Sequence, residues 1–396
     1  MPFELRIQPL HNILAPLLDS ATGQSRSPCS QIVANEVDRV SLPYKPFVAS
    51  LPAFKPPAMP PGVIPVADLS SNENPLGPSP KAVDAMRAAL GTVNRYPDAT
   101  SAALKEALAC TWGLKPTNVA MGNGADEWVL LLCISLLNPG DEVIIAEGSF
   151  VSYLLRAREA GAELVRIPLR QYTHDLRAMA AAITGRTRLV FVCNPNNPTG
   201  TIAGAAQMQS FLDQVPDSVP VVLDEAYYEY ALGPGYFDSV GHIRGGRENL
   251  IVLRSFSKVY GLAGLRVGYL LGHERLVDYA ERARPPFNVN RLAQVAAIAA
   301  LDDEDHVQRS VESNEAAKAF FYRELDALRL DYVCTHANFI AVDVRRPGTE
   351  VSSALLERGF VTTPLEGWGV PGHIRFSFGT VEQNRLFAAA LAEVLG

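Results

Sequence analysis

The sequence predicts an α/β protein: a mostly parallel β-sheet covered by helices on both faces, followed by a smaller α+β lobe. Two patterns carry that expectation. From Glu142 onward, short apolar runs alternate with helix-like stretches, the rhythm of β-α-β units. Beyond Phe287 the rhythm changes to long helices with short strands between them. Size agrees, since 396 residues, 48% of them hydrophobic, suffice for a large core and more than one lobe.

Residues 1–66 are irregular and Pro-rich, with Pro43, Pro46, Pro52, Pro56, Pro57, Pro60, Pro61 and Pro65. Such a stretch is either an extended arm lying on a partner or a linker. Residues 67–98 are expected to begin the smaller domain and connect the two, residues 99–286 to form the large domain, and residues 287–396 the small C-terminal domain. Strand candidates in the large domain are Glu142–Glu147, Glu163–Leu169, Arg188–Asn194, Pro220–Glu225, Leu250–Ser255 and Gly268–Gly272. A short strand precedes Gly122, and Trp128–Leu137 is an apolar helix. In the last part, long helices are expected over roughly 291–330 and 381–395, with strands around Phe339–Val344 and Ile374–Phe378. No internal repeat is visible.

Charge and composition narrow the function. Acids number 42 against 35 bases, a formal charge of −7, with no basic block; a nucleic-acid surface is not expected. Five cysteines (Cys29, Cys110, Cys133, Cys193, Cys334) lie scattered without a Cys-x-x-Cys pair, as expected of reduced thiols in a cytosolic protein. The longest apolar run, Trp128 to Leu137, is too short to span a bilayer, and residues 1–20 lack a signal-peptide pattern. A cytoplasmic protein is the expectation, with no membrane partner. Seven histidines without a His-x-x-x-His pair give no support to metal catalysis, and no Gly-x-Ser-x-Gly elbow marks a serine nucleophile.

The chemistry gathers at strand ends, where open α/β sheets bind ligands. Val221–Leu223 ends in Asp224-Glu225-Ala226-Tyr227, and Ile251–Leu253 runs on into Arg254-Ser255-Phe256-Ser257-Lys258. An amine for an aldehyde, an acid for a ring nitrogen and donors for a phosphate are what pyridoxal 5'-phosphate requires. Asp224 is expensive to bury without a partner, and a protonated pyridine nitrogen would be one; alone, it would equally be a helix or turn cap. Lys258 must lose its proton to form an imine, which burial favours. Ser255, Ser257 and Arg266 would form a phosphate cup; taken singly they are turn residues and a surface charge. Gly122-Asn123-Gly124-Ala125-Asp126-Glu127 opens a helix whose N-terminus can face an anion, although Asn-Gly is also a plain turn signal. Asn194-Pro195-Asn196-Asn197-Pro198-Thr199-Gly200 leaves a strand in a turn fixed by its prolines. Arg375, alone among Ile374, Phe376 and Phe378, wants a carboxylate or phosphate, from a substrate or from a neighbouring side chain.

Taken in order, these runs resemble the fold-type I, class I/II aminotransferases, and within them the histidinol-phosphate aminotransferase branch. The likeness includes Asn72-Glu73-Asn74-Pro75-Leu76-Gly77-Pro78, Arg95-Tyr96-Pro97-Asp98, Gly124-Ala125-Asp126-Glu127, Asn196-Asn197-Pro198-Thr199-Gly200 and Asp224-Glu225-Ala226-Tyr227. It continues through Ser255-Phe256-Ser257-Lys258, Gly264-Leu265-Arg266-Val267-Gly268-Tyr269, Arg284-Pro285-Pro286-Phe287 and Arg375-Phe376-Ser377-Phe378-Gly379-Thr380. It covers about residue 68 to the C-terminus. The resemblance implies a seven-stranded large domain and a homodimer with shared active sites. It implies that Lys258 is the Schiff-base lysine, that Asp224 pairs with the pyridine nitrogen, and that Asn197 and Tyr227 hold the ring oxygen. Gly124, Ala125, Asp126, Ser255, Ser257 and Arg266 would bind the cofactor phosphate, Phe150 would stack on the ring, and Tyr96 would reach the neighbouring subunit's cofactor. Arg375, with Asn197, would hold the substrate. The implied reaction is ping-pong transfer of an amino group from a small-molecule amino donor to a 2-oxo acid acceptor.

One departure bears on the substrate. Family members acting on histidinol phosphate usually carry an arginine before a proline in the strand that follows a Gly-containing helix end; here Thr363 precedes Pro364. An α-amino acid, needing only Arg375, fits better. A decarboxylase, cyclase or replacement enzyme would keep Lys258 and Asp224 too, and these motifs leave it open.

Overall fold

The computed structural model describes residues 43–51 and 58–396. The chain divides into two units, Met1–Ala49 and Ser50–Gly396. Residues 46–50 form one helical turn, Pro46–Ser50. Most of the Pro-rich stretch 1–66 lies outside the described residues, as does Cys29. Cys110, Cys133, Cys193 and Cys334 are free thiols. All further elements belong to the second unit.

After a short strand β1 (Ala67–Asp68), the large sheet is made of β2 (Val119–Gly122), β3 (Glu142–Ala146), β4 (Glu163–Ile167), β5 (Thr187–Cys193), β6 (Val221–Asp224), β7 (Leu250–Ser255) and β8 (Gly268–Gly272). Their order is β2-β8-β7-β6-β5-β3-β4. Every neighbouring pair is parallel except those of β8, which runs antiparallel between β7 and β2. Neighbouring residues on a strand face opposite ways. Val221 and Leu223 pack in one layer with Val190, Val192 and Val252, while Val222 packs in the other with Phe191, Ile251 and Leu253. Burial on both faces is why these strands read as apolar runs. The helices Ala102–Trp112 and Arg291–Leu301 cover the first face, and Ala125–Leu136 and Val151–Glu159 the second. Strand order reverses between β3 and β5, the kind of switch point beside which a crevice opens.

The smaller lobe holds a three-stranded antiparallel sheet of β9 (Phe339–Asp343), β11 (Thr363–Pro364) and β12 (His373–Ser377), in the order β11-β12-β9. A parallel pair, β1 with β10 (Phe360–Val361), lies in the same lobe. Its core is aromatic: Phe321 packs on Phe376, Phe378 and Phe387 with ring centroids 4.9, 5.6 and 6.1 Å away.

Two expectations need correction. The helix over roughly 291–330 is two helices, Arg291–Leu301 and Glu304–Ala327. Asp303 makes the break: its carboxylate caps the second helix through His306 N–H at 3.3 Å and accepts Ser79 Oγ–H at 2.6 Å. The helix expected from Trp128 begins earlier, at Ala125. Among the described residues no helix is long and apolar enough to cross a membrane.

Phe321→Ala is expected to cost about 3–5 kcal/mol in denaturant-induced unfolding, since the ring touches four other aromatics at once. A cost under about 1 kcal/mol would place the lobe's stability elsewhere.

Candidate active site

The carboxyl ends of β2, β5, β6 and β7 meet the start of β8 at one edge of the large sheet. Asp224 closes β6 in register with Cys193 of β5, and Ser255 closes β7 opposite Gly268. A Cβ on Gly268 would lie 2.5 Å from the backbone nitrogen of Ala125, so only glycine lets the loop after β2 close onto this edge. A cavity of about 500 Å³ opens here. Its walls hold Ala125, Asp126, Phe150, Asn197, Asp224, Tyr227, Ser255, Ser257, Lys258, Arg266 and Arg375, residues singled out from the sequence. Gly124 stands just behind, with φ 81° and room for no side chain: a Cβ would sit 2.6 Å from Arg266 Nη2. Tyr96 lies outside the cavity. It is 77% exposed and stacks on Phe287 at 4.7 Å.

Asp224 is buried, and its carboxylate accepts the Tyr153 hydroxyl proton at 2.6 Å and the Ala226 N–H at 3.1 Å. Burial pushes its pKa up to about 6, against the pull of the Tyr153 hydrogen bond. Among the described residues no cation forms an ion pair with it, so a protonated ring nitrogen would complete its environment. Lys258 stands in the turn after β7, and its Nζ donates to the Ser71 carbonyl at 2.9 Å. Burial first, then the Arg375 charge, pull its pKa down to about 7. A large share of the amine is therefore neutral near neutral pH. Behind both strand ends, the buried Arg254 donates to Glu225 at 2.7 and 2.9 Å and packs its guanidinium against the rings of Trp112 and Tyr228. This pair ties the end of β6 to the end of β7.

The opposite end of the cavity is built to receive an anion. Ser255 Oγ donates to Ser257 Oγ at 2.8 Å and Arg266 Nη1 to Ser257 Oγ at 3.4 Å. Arg266 makes no ion pair among the described residues, and the helix Ala125–Leu136 begins without a side-chain cap. Two hydroxyls, an unpaired guanidinium and an open helix N-terminus fit a phosphate. With Lys258 and Asp224, they fit pyridoxal 5'-phosphate. Phe150 is set edge-on to Tyr153, with centroids 5.5 Å apart.

Arg375 reaches in from β12. It is 4% exposed, yet its partners are all neutral: Asn197 Oδ1, the Ser70 carbonyl and Thr363 Oγ1, the last at 3.2 Å. Its Nε has no partner, and burial lowers its pKa. Thr363 is its cross-strand partner on β11. The contact with Arg375 commits Asn197 Oδ1, so the amide's Nδ2 is the end left to donate to a ligand.

Sequence reasoning missed two residues. Tyr153 lies one helical turn after Phe150, and that spacing was the available signal. Asn72 donates from Nδ2 to the buried Tyr227 hydroxyl at 2.9 Å; its motif was seen but given no role.

A family model described as aminotransferase class I and II matches residues 64–391. The histidinol-phosphate aminotransferase of Moorella thermoacetica is 50% identical over 334 residues, covering 84% of this chain and 86% of that protein. Histidinol-phosphate aminotransferase 2 of Pseudomonas aeruginosa is 45% identical, covering 83% of this chain and 89% of that protein. The crystal structure of histidinol-phosphate aminotransferase from Sinorhizobium meliloti in complex with pyridoxal-5'-phosphate superposes with a TM-score of 0.82 at 29% identity, covering 89% of this chain and 97% of that one. With this match over most of its length and the cavity described above, the chain belongs to the class I and II aminotransferases and takes pyridoxal 5'-phosphate as its cofactor.

Proposed function

We propose that this aminotransferase takes an α-amino acid as donor and seats the donor's carboxylate on Arg375. The observation that carries the reading is the buried Arg375 guanidinium, surrounded by neutral acceptors and offering an unpartnered Nε. A cation held out of water without a counter-ion favours a ligand that brings one. When bound, the cofactor supplies an aldehyde for the donor's nitrogen and a ring that accepts electrons from the donor's Cα. Lys258 moves the Cα proton, which the depressed pKa of its amine suits it to accept. With the cofactor bound, Asp224 would hold a proton on the ring nitrogen, Tyr227 and Asn197 would donate to the ring oxygen, and Phe150 would pack on the ring. Ala125, Asp126, Ser255, Ser257 and Arg266, with Gly124 in the turn, hold the phosphate. Donor and 2-oxo acid acceptor use the same seat in turn, as a ping-pong exchange requires.

A second reading, histidinol phosphate as donor, is favoured by the names of the relatives. Thr363 weighs against it: a phosphate there lacks a second guanidinium and its charge-assisted hydrogen bonds, each worth about 1.5–3 kcal/mol. Decarboxylation, cyclisation or replacement chemistry gains no support from the relatives reported above, which are named as aminotransferases. The exposed Leu90, Val93 and Tyr96 favour a homodimer in which Tyr96 reaches the neighbouring cofactor. The scattered free thiols favour the cytoplasm.

A panel of amino donors, followed by loss of the bound cofactor's visible band, tests the substrate. Carboxylate-bearing donors should react faster than histidinol phosphate, and Thr363→Arg should raise the rate with histidinol phosphate by roughly tenfold or more. If the wild type prefers histidinol phosphate, or Thr363→Arg changes nothing, the seat is misassigned. Recapture of the cofactor by the stripped protein should speed up with pH and level off near pH 7, because only the neutral Lys258 amine reacts. A rate still climbing beyond about pH 9 would mean an ordinary lysine. Tyr96→Glu should shift the dimer toward monomer in sedimentation and weaken cofactor retention; an unchanged dimer with full retention removes Tyr96 from the shared site.

A further inference from the structure

Asn72 opens the run Asn72-Glu73-Asn74-Pro75, to which the reaction above assigns nothing. It is 2% exposed, has φ 55°, and has every polar group engaged. Its backbone N–H donates to Ser377 Oγ at 2.8 Å, and its carbonyl accepts Asn338 Nδ2 at 3.1 Å. Its Oδ1 faces Ser377 Oγ at 3.0 Å, and its Nδ2 donates to Tyr227 Oη at 2.9 Å. Ser377 belongs to β12 of the small lobe, and Tyr227 follows β6 of the large sheet. The chain of contacts Ser377–Asn72–Tyr227 therefore joins the two lobes at the cofactor.

A phenol has one proton to give and lone pairs to receive. We propose that Asn72 is a positioning residue for Tyr227: by filling an acceptor site on its hydroxyl, it leaves the phenol's single proton to point at the cofactor's ring oxygen, in a geometry anchored to the small lobe through Ser377. The proposal rests on the reading that Tyr227 faces that oxygen. Donation there withdraws charge from the oxygen, so the nitrogen that Lys258 contributes holds its proton less tightly. The other charged or titratable groups facing Tyr227 and Lys258 are Arg375, Glu73, Arg266, Asp224 and Cys193. None is altered in the variants below.

The test is a pH titration of the visible absorption band of the full-length holoenzyme. Asn72→Gly accommodates the positive φ and removes the donor. It should raise the midpoint by roughly 0.4–1 unit, the equivalent of one neutral hydrogen bond. Ser377→Ala leaves Asn72 in place but removes its anchor, and should move the midpoint the same way by less. It decides the matter should Asn72→Gly fail to fold. In a Tyr227→Phe background, Asn72→Gly should add nothing, because its route to the cofactor is gone. An unmoved midpoint in Asn72→Gly and Ser377→Ala, or an equal rise with and without the Tyr227 hydroxyl, overturns the role of Asn72 and leaves Tyr227 where it is. If Tyr227→Phe alone leaves the midpoint unchanged, the placement of Tyr227 fails and the proposal with it.

Discussion

Charge removed from water without a counter-charge is the constraint on which this site depends. Asp224, Lys258 and Arg375 share one cavity, and each is held by neutral groups: a phenol and an amide N–H, a carbonyl, and an amide oxygen with a hydroxyl. Burial of this kind costs free energy unless a partner arrives. The effect is visible in the ionisations, with the carboxyl drawn up to about 6 and the amine down to about 7. Were these groups in contact they would neutralise one another and bind little else. Kept apart, each lacks what one part of a cofactor or substrate supplies: a ring nitrogen's proton, an aldehyde, a carboxylate.

Keeping them apart is the work of two sheets. Asp224 and Lys258 come from adjacent parallel strands, whose ends the buried Arg254–Glu225 pair fastens together. Arg375 comes from the antiparallel sheet of the other lobe. Side chains bridge the gap at Arg375–Asn197 and at Ser377–Asn72–Tyr227. Both bridges end on residues proposed for the ring oxygen, so on that reading a shift of the lobe that carries Arg375 would be felt at that atom. Ser255, Ser257 and Arg266, proposed for the cofactor's phosphate, hydrogen-bond one another and their own turn instead.

The strands were readable because parallel strands buried on both faces leave apolar runs, and those of β6 and β7 lead within two residues to a polar residue that lines the cavity. Asp224 and Ser255 could be found for that reason alone. The break at Asp303 carried a capping signal, but the apolar periodicity on either side masked it. Tyr153 looks like any core aromatic on a helix, and only the packing of that helix brings its hydroxyl to Asp224. Asn72 is 155 positions from Tyr227 and 305 from Ser377, distances over which one sequence carries no pairing signal. Tyr96 gives no answer within one chain, since its proposed partner is a cofactor in another.

The division of labour between the sheets also bears on how the substrate end varies without disturbing the cofactor end. Thr363 faces Arg375 across two antiparallel strands, where side chains on one face interact most directly. It lies on the short outer strand of the small sheet, on a different sheet from the ends of β6 and β7. A second guanidinium at 363, a half-buried position, would add another cation beside Arg375, which the two charges of a phosphate would offset. A threonine adds none and gives Arg375 a neutral acceptor, which holds the guanidinium in place while leaving its charge for the ligand. One guanidinium, held this way, matches one carboxylate. On the proposed reading, the identity of residue 363 sets how many charges the substrate seat meets, and threonine leaves it with one guanidinium.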